Sequence, residues 1–101
     1  MTLRDAIAKL EQVSERATLF VERLSGEFKP NSRTVLLELS DTDLQCSVVD
    51  IAAERAPGTE YFLEIDEAQH VVAGFVKSYA NGEPSLDEIV ERVIYYAEND
   101  A

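Results

Sequence analysis

Tryptophan is missing from this chain, cysteine and histidine occur once each, and nine bases stand against twenty acids. Each shortage excludes something. With Cys46 alone, no internal disulfide forms and a four-cysteine zinc site is impossible. With His70 alone, a di-iron bundle lacks its second Glu-x-x-His pair. The four glycines are scattered, so no Gly-rich loop cradles a phosphate. No apolar run approaches the roughly 20 residues that span a bilayer. The first stretch, MTLRDAIAKLEQ, carries charges every few residues and has no apolar h-region, so it does not read as a signal peptide. A cytoplasmic, bacterial-type protein is the expectation.

The shortage of bases leaves a net charge of −11. It is unevenly spread. Residues 1–50 hold nine acids and six bases, whereas residues 51–101 hold eleven acids and three bases. A field of that sign repels nucleic acid and anionic membranes and favours a basic partner. Solubility alone also accounts for such a charge. The 101 residues fit one domain, and 46% hydrophobic content is that of a globular chain.

What is present patterns clearly. Glu60–Val76 reads as a buried strand feeding an amphipathic helix. Tyr61, Leu63 and Ile65 alternate with Phe62 and Glu64, then Ala68, Val71, Val72, Phe75, Val76 and Tyr79 follow at helical spacing. Asp66 stands at the expected N-cap with Gln69 three residues on. Pro57–Gly58 opens this unit and the loop Asn81–Gly82–Glu83–Pro84 closes it.

Thr2 with Asp5 forms a capping box ahead of a first helix, Leu3 to Glu15. Ala17–Leu24 is rich in strand formers, and Ser25–Gly26 breaks it. Thr34–Leu39 is a second strand with apolar residues on both faces, which suits a central place in the sheet. Leu44–Arg55 reads as a short helix capped by Ser47, with a brief strand at Cys46–Val49 as the alternative. Ser85 with Glu88 caps a last helix, Leu86 to Ala97, whose stripe is Leu86, Ile89, Val90, Val93 and Ile94. The fold class is α/β (α+β): one small domain, a three-stranded sheet with about four helices packed on it. The first two strands are expected antiparallel, and the short helix allows a parallel crossover to the third.

Chemistry-bearing groupings are few. Glu64, Asp66, Glu67 and His70 lie close in sequence, and Glu67 and His70 share a helix face. Acids at a helix N-terminus are also favoured by the dipole, and His70 reads as a surface residue. Cys46 beside Val48 and Val49 reads as a small core residue. The end of the chain is more unusual. Glu98, Asp100 and the terminal carboxylate gather where a helix dipole disfavours negative charge, directly after Tyr95 and Tyr96. Two amphipathic rings beside acids suit an interface with a basic protein.

The wording YFLEIDEAQHVVAGF, with the ending VIYYAENDA, resembles a small uncharacterised bacterial family over Pro57 to Ala101. That resemblance implies no activity and no site residues. In size and charge alone the chain also resembles the immunity proteins of bacterial toxin–immunity pairs. The expectation is a non-enzymatic interaction module, an immunity-type or antitoxin-type inhibitor of a basic protein. Tyr95, Tyr96, Glu98 and Asp100 would meet the partner, with no catalytic residues, cofactor or metal. A homodimeric regulatory or housekeeping subunit is the alternative, and a small metal-dependent hydrolase built on Glu67 and His70 comes third.

Overall fold

The computed structural model describes residues 1–80 and 82–100, and within them the chain is built around strand β1, Ala17–Val21. All five of its residues are buried. Two antiparallel neighbours flank it: β2, Thr34–Glu38, and β3, Glu60–Glu64, giving the order β2-β1-β3. Helices α1 (Leu3–Ala8), α3 (Ile65–Ser78) and α4 (Leu86–Asn99) cover one face of this sheet. Helix α2 (Val48–Arg55) covers the other. The result is the expected α+β domain of three strands and four helices.

The alternation of β1 sorts its side chains between two cores. Ala17, Leu19 and Val21 join Leu3, Ile7, Leu63, Ile65, Val90 and Val93. Phe20 points the other way, to Ile51, Ala52 and Ala56 of the α2 side. Strand β2 divides similarly, with Leu36 on the first core and Val35, Leu37 and, just past its end, Leu39 on the second. Both of its faces are covered, yet β2 is an edge strand and not the central one. The reason is the connection: α2 carries the chain across the sheet and lays β3 on the free edge of β1. Strands β2 and β3 therefore run the same way but are separated by β1.

The β1–β2 connection holds a second, smaller turn. Ser25 and Gly26 both take positive φ, 55° and 83°, as a two-residue hairpin requires, and Leu24 and Glu27 exchange backbone hydrogen bonds across it. Phe28 then folds back into the core and meets the Phe62 ring edge-on at 4.9 Å.

Several features differ from the sequence reading, among them β1, which ends at Val21 and not Leu24, and α4, which runs to Asn99 and not Ala97. Helix α1 ends at Ala8, because Lys9 leaves the helical region and the chain turns through a 3-10 segment, Leu10–Gln12, to reach β1. Leu10 and Val13 still pack on the core, so the periodicity survived the change of conformation. Asp66 is not a cap. Helix α3 starts at Ile65 with Glu64 as N-cap, and Gln69 donates to the Leu10 carbonyl instead. Strand β3 carries a bulge. Leu63 faces Leu19 and Tyr61 faces Phe20, so Phe62 is an extra residue. The simple alternation is lost: Phe62 and Leu63 enter the same core, while Tyr61 turns its ring edge to Phe20.

The segment before α2 resolves as helix. Ser47 accepts from the Asp50 N–H, and Ile51 and Ala52 bury against Phe20. That cap outweighs the strand preference of Val48 and Val49, which face solvent. Cys46 is exposed and not a core residue, since it terminates the 3-10 turn Asp43–Gln45 ahead of the helix. The capping boxes Thr2 with Asp5 and Ser85 with Glu88 form reciprocally as read, whereas at Ser47 only the serine's own bond forms. The loop reading at Asn81 lies outside the described residues, as does the terminal carboxylate of Ala101. Among the described residues no helix is long and apolar enough to cross a membrane.

Candidate functional site

Helices α3 and α4 pack side by side, which brings the acids in the first turn of α3 and Tyr96 near the end of α4 to one place. The Tyr96 hydroxyl donates to Glu67 Oε2 at 2.9 Å. Around this bond lies a groove of about 820 Å3 walled by Tyr61 of β3, by α3 from Asp66 to Ser78, and by Arg92 and Tyr96 of α4. Glu64, Asp66 and Glu67 place three carboxylates along it, with His70 beside them and Phe75 and Tyr96 as apolar floor and wall. Arg92 also lines it and brings a positive charge to these acids.

The electrostatics follow from the packing. The Tyr96 hydroxyl is held neutral above its ordinary range, first because ionisation would forfeit the bond to Glu67. Burial does the same to Tyr61, helped by the charges of Glu64 and Glu67. Acidic side chains in the first turn of α3 sit where the dipole favours them, so this negative field carries little strain.

The four residues expected from sequence lie on one helix end but not on one face. Tyr95 is about 100° round the helix from Tyr96. It is 56% exposed, with the Arg92 guanidinium 5.6 Å from its ring centre. Asp100 caps α4 with its N–H donated to the Tyr96 carbonyl, and its side chain is exposed. Glu98 is engaged within the chain. Its Oε1 accepts from Arg23 at 2.7 Å, and the same guanidinium reaches Glu60 at 2.9 Å while stacking 3.9 Å above Phe28. Arg23 thus offsets the dipole conflict read at this terminus. No local signal in the sequence pointed to it, since its partners are 37 and 75 residues away. Tyr61 was missed for a different reason: a regular strand would have buried it.

His70 donates through Nδ1 to the Asp66 carbonyl and is largely exposed. Among the described residues no group of three or more His, Cys, Asp or Glu is arranged to hold a metal ion. Cys46 lies outside the groove that His70 lines.

One known family matches residues 1–101 in full, a domain of unknown function (DUF7716). The chain belongs to the DUF7716 family. No curated protein and no solved structure matches it. Membership spans the whole domain, first helix included, whereas the resemblance read from sequence covered only its second half. For a DUF7716 domain the geometry of the α3–α4 groove is therefore the best guide to activity.

Proposed function

We propose that this DUF7716 protein is a non-enzymatic interaction module, an immunity-type or antitoxin-type inhibitor whose acidic groove receives a basic segment of another protein. The observation that carries this reading is the groove itself: Glu64, Asp66 and Glu67 beside Tyr61, Phe75 and Tyr96. Carboxylates there steer a cationic partner, and aromatic walls supply rigid apolar area on contact. Tyr95 and Asp100 stand exposed at the same end of α4, whereas Glu98 lines a separate hollow with Arg23 and Phe28. Glu98 enters as one member of its pair with Arg23, and Tyr95 as the exposed anchor. A net charge of −11 supports the sign of the partner.

The test is capture from the native host at low ionic strength, then binding kinetics and toxicity rescue with the captured protein. Glu64→Gln with Glu67→Gln is expected to slow association and flatten its salt dependence. Glutamine keeps an oxygen for the Tyr96 hydroxyl, so the wall stays in place. Tyr95→Ala is expected to weaken binding by about 2 kcal/mol. Association indifferent to salt and to all three substitutions rules the reading out.

A homodimeric subunit is favoured by a separate observation. A second groove of about 600 Å3 lies on the other flank of α3, lined by Leu10, Val72, Val76, Leu86 and Ile89. A mass that rises with concentration, in the absence of any partner, would support it.

A further inference from the structure

Strand β3 has one neighbour. Its inner edge pairs with β1, and among the described residues no strand pairs with its outer edge. Hollows lie on both sides of that edge. One is the acidic groove, which Tyr61 and Glu64 border. The other is a mainly apolar cleft of about 500 Å3 between α2 and β3, formed by Val48, Val49, Ala52, Ala53, Glu60 and Tyr61. Val49 at its rim is 74% exposed and Val48 is 42% exposed. Tyr61 belongs to both hollows, held between them by the bulge at Phe62 and by Phe20.

We infer that the basic partner binds by adding an extended segment to the outer edge of β3, with alternating apolar and cationic side chains. This rests on the acidic-groove reading above and specifies how that groove is reached. The period of a strand dictates the pattern. Successive side chains of an added strand point to opposite faces, so one set enters the α2 cleft and the other faces Glu64, Asp66 and Glu67. Main-chain hydrogen bonds to β3 hold the segment, and the two hollows select its sequence.

Charge decides between a foreign strand and a second copy of this chain. Antiparallel pairing of β3 with itself, centred on Phe62, brings Glu60 of one copy towards Glu64 of the other at both ends. Like charges directly opposite are unfavourable, and glutamates on an exposed edge are a known guard against self-pairing. Lysine or arginine opposite the same positions is favourable. Glu60 already has Arg23, so the attraction centres on Glu64 and its neighbours on α3.

The probes are three cationic peptides of equal charge, each added to the full chain at low salt. The first alternates valine and lysine over about eight residues, long enough to cover β3. The second has the same sequence N-methylated at alternate residues, which removes the main-chain donors of one edge. The third is a leucine–lysine helix. The alternating peptide is expected to bind about tenfold more tightly than its methylated form and to slow amide exchange within residues 60–64. Val49→Asp, at an exposed position, is expected to keep the fold and weaken this binding about tenfold by polarising the cleft. Equal binding of the methylated peptide, or a preference for the helical one with amide shifts confined to α3 and α4, overturns strand addition and leaves the acidic groove intact. If no cationic peptide binds, the groove reading falls and takes this inference with it.

Discussion

Glu67, in the first turn of α3, accepts the hydroxyl of Tyr96, near the end of α4, across 2.9 Å. Twenty-nine residues separate the two in sequence, and this bond makes one site of two stretches that the sequence leaves unconnected. It also gives the domain a signature in alkali. Tyr61, Tyr79 and Tyr96 are all held above the ordinary phenol value of 10.0, Tyr61 first by burial and the other two first by hydrogen bonds to Glu88 and Glu67. In the unfolded chain these phenols lose their protons at ordinary values. Their contribution to stability is thus complete below pH 10 and is lost as pH rises through the higher folded values. Phenolate absorbance should appear later in the folded chain than in urea. Tyr96→Phe should lower the unfolding midpoint, and should do so less in a Glu67→Gln background.

Val93 is fully buried where α4 meets the sheet. Val93→Asp places an unpaired charge in that core and is expected to cost about 3–5 kcal/mol. Urea denaturation measures it, and an unchanged midpoint would mean that α4 packs by another face.

Ser85→Ala removes the hydroxyl that accepts from the Glu88 N–H at 3.2 Å. The loss is expected to be about 1 kcal/mol at neutral pH. Glu88 is held below its ordinary 4.5, first by the Tyr79 hydroxyl and then by Ser85. A depressed carboxylate stabilises above its unfolded value and ceases to do so as pH falls through its folded one. The gap between Ser85→Ala and the parent chain should therefore narrow below about pH 4.5, a trend that paired melts at stepped pH will show.

His70 is expected to be dispensable. Its ring is largely exposed and bonds only to its own helix, at the Asp66 carbonyl. His70→Ala should move stability by less than about 0.5 kcal/mol. Elemental analysis of the parent chain should find no stoichiometric metal. One equivalent of zinc or iron that disappears with the substitution would restore the hydrolase reading.

Local signals carried most of the fold. Thr2, Ser47 and Ser85 announced three helices because a capping hydroxyl acts over three residues and needs no tertiary partner. The antiparallel β1–β2 pair followed from the intervening length. What escaped was set by distant neighbours. Strand β2 looked central because both of its faces are apolar, yet only the placement of β3 decides which strand has two partners. Asp66 resembled a cap, but the helix begins at Ile65 and Glu64, two residues earlier, took the position. The groove was half legible: Glu67 and Tyr96 both drew attention, and nothing in either stretch said that they touch. Arg23 was illegible, since an ion pair across 75 residues leaves no mark on local pattern.

The placement of β1 also governs the order in which the domain can be completed. A ribosome delivers Ala17–Val21 early and β2 soon after, so a hairpin can close on one side of β1. The opposite side must wait until Glu60–Glu64 emerges, and the Val90 and Val93 that seal the core come later still. Throughout that interval Leu19, Phe20 and Val21 sit on an open ladder with apolar residues on both faces. The nascent chain is most vulnerable to wrong partners at the strand that is best protected in the finished one.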